Sequence, residues 1–451
     1  MARKIVVIGS GAAGLTAASA ARRHDPTAEI TVFTMDEFIA YSPCAIPYVI
    51  EGRIKDFDSL VMHTPEFYKE RRKIDVRTKV KVIALDVDKK TLTTSEGRSY
   101  DFDSIVIATG GTVFLPPVEG IDLKGVFSVR TISDGKGIKE MLPKVRSVVI
   151  AGAGVIGLEM AVAMRKTGKE VTVVEMLPQV VPRIMDQDMA NMLQSKLESL
   201  GINFVLNAPI KAIKGKEKVE AVVAGAENYP CQMVIMATGI RANLEIPNMI
   251  GLDIGPLGGV RVSATLQPYR KGRMVSDVYL AGDIIQCESA VAPGPTMSQL
   301  GSSAVRQGEV AGINAAGGYA TYPGVASAWV SYLGEVQVAG TGLSKALAEY
   351  YGIRVVEGLA KGLTRARYYP DGKELIVKVI ADASTHKLIG AQILSGEEAT
   401  GRINWLTAAI IKGVTVEEFS NAFENAYCPP TSMVKDVVNQ AIDELLSRLK
   451  D

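Results

Sequence analysis

The segment YSPCAIPY, residues 41–48, sets Cys44 between Pro43 and Pro47, ahead of a stretch that reads as a helix start. The chemistry such a cysteine offers is sulfur exchange: a thiolate attacks sulfur–sulfur bonds, and a helix N-terminus favours that anion. The alternative is a buried, inert cysteine. Exchange through sulfur needs a second sulfur, yet Cys231, Cys287 and Cys428 lie far away in sequence and form no C-x-x-C pair. His24, His63 and His386 stand apart from them as well, so neither a disulfide framework nor a metal site is expected.

Two glycine turns are the other chemical signals. Gly9-x-Gly11-x-x-Gly14 follows the β-branched run KIVVI and opens a small-residue helix, and Gly152-x-Gly154-x-x-Gly157 does the same after SVVIA. In that context the glycines allow a tight turn and the helix N-terminus holds a pyrophosphate. A second strand follows each, EITVFT (29–34) and EVTVVE (170–175). An acid at its end accepts hydrogen bonds from ribose hydroxyls. Glu175 fills that place in the second unit and, by repelling a 2′-phosphate, favours NADH; Thr34 holds it in the first, with Asp36 and Glu37 just beyond. Each unit then closes with a strand ending in Ala-Thr-Gly, at 108–110 and 237–239. The strand DVYLAGDI (277–284) must complete one unit, and it presents Asp283 either to a ribose or ribityl hydroxyl or as a helix cap.

These elements imply an α/β fold of two Rossmann-like nucleotide-binding domains followed by an α+β domain. The linker FLPPVEG (114–120) marks the first crossing between domains and GLDIGPLGGV (251–260) the return. The reading divides the chain into 1–115 with 252–322, then an inserted 116–251, and a C-terminal 323–451 whose alternating strands read as an antiparallel sheet with packing or dimerisation as its role. Fifty basic against 49 acidic residues leave no global field to recruit nucleic acid or an anionic membrane. With no signal segment or membrane span either, the expected location is the cytoplasm.

Taken together, GSGAAG, YSPCAIPYVIEG, AGAGVIGLEMA, VEMLPQVVPRIMDQDMA, YLAGDI and AYCPP resemble the single-cysteine branch of the pyridine nucleotide–disulfide oxidoreductases, over nearly the whole chain. That branch contains coenzyme A disulfide reductases, NADH-dependent persulfide and polysulfide reductases, and NADH oxidases and peroxidases. The resemblance implies FAD in the first unit, held around Gly9, Gly11, Ala12, Ala13, Gly14, Thr34, Met35, Pro43, Val80, Ala108, Thr109, Gly110, Gly282 and Asp283. It implies NADH in the second, held around Gly152, Gly154, Val155, Ile156, Gly157, Glu175 and Gly239, and a homodimer whose C-terminal domain reaches the partner's active site.

Two-thiol relatives carry C-x4-C, and Val49 stands at the second position, so no internal disulfide can form. Oxidase and peroxidase members carry a histidine in the first glycine turn, where this chain has Ala12. The resemblance therefore points to a mixed disulfide between Cys44 and a small thiol such as coenzyme A. In the similar reductases a tyrosine from the partner subunit assists at the leaving thiolate. The resemblance matches Tyr427 to the first tyrosine of the Tyr-x-Pro-Pro block, Tyr368 to the other active-site tyrosine and Glu159 to a residue near the nicotinamide, the bland readings being packing tyrosines and a helix-surface acid. For coenzyme A it matches Thr16, Arg23, Arg72 and Lys435; the guanidinium and ammonium groups among them suit a phosphorylated ligand, though exposed basic residues are usually only solvated. Ala40, Pro43 and Ala304 replace polar contacts of the disulfide reductases, which shifts the expected substrate towards coenzyme A persulfide or polysulfide. An NADH oxidase and an electron-delivery flavoprotein serving a protein partner are the competing readings.

Overall fold

Strand, glycine turn and helix recur because the same residue pattern does. The computed structural model describes residues 2–450. The first sheet is parallel throughout, in the order Val278–Leu280, Ser104–Ile107, Lys4–Ile8, Glu29–Phe33, Ile74–Arg77. The second is parallel as well, in the order Ile202–Val205, Glu170–Val174, Ser147–Ala151, Met233–Met236, Val126–Ser128. Beside the central strands, Ser104–Ile107 and Met233–Met236 are buried along their whole length. Helices cover one face of each sheet while the other packs on an antiparallel meander, as Val149, Ala151, Val234 and Met236 do on Ile213 and Val222. The strand at 278–280 thus completes the first unit.

Each unit also carries a three-stranded antiparallel meander, Val82–Asp101 in the first and Ile210–Pro230 in the second. The sequence reading leaves these out, because strands of three to five residues with exposed faces carry little periodic signal.

The crossing between the units is a two-stranded antiparallel ribbon, Gly111–Val113 against Ile240–Ala242. Ile246, Ile250 and Leu252 then bury themselves in the first core. The return crossing therefore lies at 240–243, about ten residues before the expected glycine-rich stretch. Glycines at 251–260 signalled a turn within the first unit rather than a boundary.

The C-terminal region folds into a five-stranded antiparallel sheet, ordered Trp329–Leu333, Val336–Gly342, Leu388–Ser395, Glu374–Asp382, Val355–Leu363. Side chains alternate between its faces. Leu375, Val377 and Val379 pack under the helices Thr400–Ile411 and Val437–Lys450, while Ile376, Leu333, Val338 and Leu394 pack on the second unit beside Met185 and Met189. At about 1.5–3 kcal/mol per buried aliphatic side chain, this second face is a substantial joint between domains. Ile46 and Val49, just beyond Cys44, belong to the same cluster, so the cysteine segment is anchored where the three parts meet. Among the described residues no helix is long and apolar enough to cross a membrane, and no group of residues could hold a metal ion.

Candidate active site

Cys44 lies in a short 3-10 turn, Pro43–Ala45, that leads into the five-residue helix Ile46–Ile50. Pro43 and Pro47 each occupy an early position of their own turn, where a missing N–H costs nothing. Val49 is fully buried, so the position that carries a second thiol in C-x4-C sequences is occupied by core packing.

A cavity of about 600 Å³ opens beside Cys44. Its walls bring together Pro43 and Cys44 from the first unit, Gly154, Val155, Ile156 and Glu159 from the second glycine turn and its helix, and Gly239 after the second Ala-Thr-Gly strand. Arg130, Trp329 and residues of the C-terminal sheet close the remainder. Half-buried Glu159 accepts a hydrogen bond from Ser331 Oγ at 2.7 Å. It is not the ordinary surface acid of the bland reading. Burial raises its carboxyl above the usual range, and the Ser331 hydroxyl only partly offsets that.

Cys44 is open to solvent at the rim, but the surrounding walls strip enough hydration to raise its thiol above the ordinary value. Glu159 pushes in the same direction, while the Ser42 hydroxyl and Arg130 pull the other way without prevailing. This corrects the expectation of a helix-stabilised thiolate, since a five-residue helix after a 3-10 turn has too little dipole to overcome desolvation and a nearby carboxylate. Tyr48 shares the environment and is pushed up to about 12, by burial first and then by Glu159 and Glu51.

The glycine turns take their shape from close backbone approaches. A Cβ built on Gly9, at φ +108°, would lie 2.2 Å from the carbonyl oxygen of Ala108, and one on Gly14 would lie 2.0 Å from that of Gly9. The second unit repeats this, with Gly152 at φ +109° and 2.4 Å from Ala237 O. Gly11 and Gly154 differ: a Cβ there meets nothing within 4 Å. Each is the N-cap of a helix of 12 or 13 residues with no side-chain cap and no acid in the first turn. Open backbone at an uncapped helix N-terminus is a cradle for an anion.

Around the first turn, Ala13 packs under Gly282, whose built Cβ would be 3.2 Å from it. Val80 N–H donates to Thr34 O at 2.9 Å, and Ser10 Oγ donates to the buried Thr34 hydroxyl at 3.1 Å. Exposed Met35 and Ala12 flank this edge. Thr109 and Gly110 are tied to Asn243, and Asp283 accepts from Arg130 Nη2 at 3.1 Å. No helix begins at Asp283, so the capping alternative falls. In the second unit Glu175 is buried, accepting from Ala153 N at 2.8 Å and Leu177 N at 2.9 Å. It braces the glycine turn, and each oxygen keeps one further lone pair.

Thr16 and Arg23 sit seven residues apart, on one face of the helix Ala12–His24. Arg22 donates to the carbonyls of Arg72 and Lys73, joining the C-terminal ends of the two helices that carry Arg23 and Arg72. Lys435 does not join them within this chain; it pairs with Asp443 on the C-terminal helix. Tyr368 and Tyr427 are likewise absent from the Cys44 cavity of their own chain. Their hydroxyls bond each other at 2.5 Å on the outer face of the C-terminal domain, Tyr368 being 75% exposed.

Residues 3–308 match the sequence pattern of the pyridine nucleotide-disulphide oxidoreductases, and residues 329–437 match the dimerisation domain of the same group. The chain belongs to this family. It is a flavoprotein oxidoreductase that works with FAD and a nicotinamide nucleotide. A relative from Methanocaldococcus jannaschii, named NADH oxidase, is 44% identical over 99% of this chain and 100% of that protein. A Pyrococcus horikoshii protein named NAD(P)H coenzyme A polysulfide/persulfide reductase is 35% identical over 97% of each. The solved structure of a NAD-dependent persulfide reductase from A. fulgidus superposes with a TM-score of 0.95 at 30% identity, over 99% of this chain and 84% of that one. The open cradles at Gly11 and Gly154 fit the pyrophosphates of the two dinucleotides that family membership implies.

Arg130, Ser331 and Trp329 escaped the sequence reading. Arg130 was findable, because Thr131 and Asp134 form the capping box that starts the next helix and so put Arg130 just past the end of the strand Val126–Ser128. Ser331 and Trp329 come from a sheet some 170 residues away, and nothing local marks them.

Proposed function

We propose that this protein is an NADH-driven reductase of sulfur–sulfur bonds in coenzyme A persulfide, polysulfide or coenzyme A disulfide, working through Cys44 as its single redox sulfur. The observation that carries the reading is one accessible thiol beside Glu159 and the second glycine turn, with packed Val49 where a second thiol would stand. Names of the relatives agree with it, since reductases of persulfide and polysulfide span both sequence and structure matches. The proposed unit is a cytoplasmic homodimer; the dimerisation-domain match and four free cysteines suited to a reducing compartment support this.

In the proposed cycle the Cys44 thiolate attacks the substrate's sulfur–sulfur bond, a new bond forms to Sγ, and the outer sulfur leaves with the electron pair. In this reading Tyr427, whose hydroxyl bonds that of Tyr368 on the outer face of its own chain, donates a proton to that leaving group from the partner subunit. FAD, where the first unit holds it, would supply two electrons drawn from NADH; these would cleave the mixed disulfide, return the Cys44 thiol and release the retained sulfur as a free thiol. Thr16, Arg23 and Arg72 hold the phosphorylated end of coenzyme A, and Lys435 adds to them from the partner. With a raised thiol, Cys44 stays protonated until reduction or substrate binding changes its surroundings, which limits its loss to stray oxidants.

Oxygen reduction is the second reading, favoured by the relative named NADH oxidase. Cys44→Ser separates the two. Sulfide release from polysulfide is expected to vanish while NADH turnover with ferricyanide persists; sulfide release at the wild-type rate would remove Cys44 from the mechanism. Intact mass of the non-reduced wild type is expected to show a coenzyme A adduct that dithiothreitol removes.

A further inference from the structure

Lys378 is the least expected charge in the fold. It sits at the centre of the strand Glu374–Asp382, only 4% exposed, on the face that Ile376 turns towards the second unit. Three carboxylates surround its Nζ: Glu357 at 2.6 Å from the neighbouring strand, Asp188 at 2.9 Å and Asp186 at 3.1 Å. The two aspartates belong to the second unit, so the cluster bridges the nicotinamide domain and the C-terminal sheet. Lys345 adds a second cation, 3.0 Å from Glu357.

Asp186 shows what the cluster is for. It is the N-cap of the helix Gln187–Ser199, yet its side chain caps nothing in that helix. Instead it accepts from Lys345 N at 2.9 Å and Gln392 Nε2 at 2.9 Å, and its own N–H donates to Gln392 Oε1 at 2.9 Å. Its side chain and N–H are thus turned across the domain boundary, and only its carbonyl stays with the helix, accepting from Ala190 N at 2.8 Å.

The segment leading to Asp186 runs along the cavity. Val181 is buried at φ +43°, a left-handed conformation that is a genuine outlier for a β-branched residue and persists only where the surroundings impose it. Its N–H donates to Ala153 O at 2.8 Å, inside the second glycine turn. Arg183 and Ile184, between the strained valine and Asp186, form part of the cavity wall, as does Gln392. One end of segment 181–186 is therefore fastened to the nucleotide-binding turn and the other to Lys378.

We propose that Lys378 is a positioning residue for the nicotinamide nucleotide, holding segment 181–186 through Asp186 so that the glycine turn and the Arg183–Ile184 wall keep their binding geometry. Removing the cation leaves three carboxylates facing one another with Lys345 alone to offset them, and a broken buried ion pair drives its members apart towards water. The inference rests on family membership and not on the identity of the sulfur substrate.

The test is Lys378→Met in FAD-loaded enzyme, assayed for NADH oxidation with ferricyanide, an acceptor that bypasses Cys44. KM for NADH is expected to rise about tenfold, a coupling of ordinary size for a residue acting through others, with kcat within about twofold of wild type. Lys378→Arg, which keeps the charge, is expected to recover most of the loss, and the NAD⁺ dissociation constant by calorimetry should move with KM. A cluster that merely glues domains would lower the melting temperature and leave KM for NADH unchanged; that outcome overturns the proposal. Should Lys378→Met not accumulate as folded protein, the isosteric Asp186→Asn takes its place, with the same two outcomes read in the same way. Because ferricyanide replaces the sulfur acceptor, failure here leaves the sulfur-reductase reading standing, and failure of that reading leaves this result intact.

Discussion

Replacing Gly9 and Gly11 separately by alanine should produce two different defects from positions two residues apart. At Gly9 the added methyl would sit 2.2 Å from Ala108 O, against about 3.4 Å for an ordinary contact, so something must yield by roughly 1.2 Å. The obstacle is the backbone of a strand end in a parallel sheet, which cannot rotate aside as a side chain can. A left-handed φ costs an L-residue about 1–2 kcal/mol and overpacking about 1–3 kcal/mol more, so a loss of roughly 2–5 kcal/mol of folding stability is expected. That is a large share of a domain's typical 5–15 kcal/mol. At Gly11 the backbone is at φ −75° and ψ −170°, open to any residue, and the methyl meets no protein atom within 4 Å. The apoprotein should therefore unfold within about 0.5 kcal/mol of wild type. The methyl instead occupies the approach of a pyrophosphate to the helix N-terminus, and losing one charge-assisted hydrogen bond, at about 1.5–3 kcal/mol, weakens FAD roughly ten- to 150-fold. Urea unfolding of apoprotein measures the first quantity and flavin-fluorescence quenching on titration measures the second. Unaltered FAD affinity in Gly11→Ala, or wild-type unfolding in Gly9→Ala, would refute the assignment of these glycines. Gly154→Ala is the internal control, expected to keep its FAD and lose NADH.

Glu159→Gln carries a signed pH prediction. The native carboxyl titrates above its ordinary 4.5, so the folded state binds more protons than the unfolded chain between the two values, and stability falls as pH rises through that window. The variant, which never ionises, should melt higher than wild type at pH 7 and draw level below about pH 4, while the pH midpoint of Cys44 alkylation by iodoacetamide moves down. In the C-terminal domain, Arg402 and Asp436 form a buried pair at 2.8 Å with side chains 9% and 6% exposed. Asp436 closes the loop that carries Tyr427 and Cys428, through its N–H to Asn425 Oδ1. Arg402→Met should destabilise by about 3–5 kcal/mol and open that loop to limited proteolysis.

Some of this protein is written in neighbouring residues. A glycine turn depends on strand, turn and helix that adjoin in sequence and on steric limits that only glycine meets, so Gly9 and Gly152 announce themselves, and the Ala-Thr-Gly strand ends and Gly282–Asp283 follow the same local logic. Cys44 between its prolines is equally plain, whereas Val49 stands for a missing second thiol only through the resemblance to the two-thiol relatives. The electrostatics of the cysteine are not plain in this way. The rise in the Cys44 thiol comes from desolvation by walls of three domains and from Glu159, more than a hundred residues on, which no helix-start pattern near Cys44 could foretell. Glu159 in turn depends on Ser331, and Asp186 on Lys378, 172 and 192 positions apart along the chain. Local sterics, decided within a dozen residues, can be read from order alone; the protonation of a buried acid or thiol is a sum of solvation and charge over everything within a few ångströms, and only the folded chain brings those groups into range.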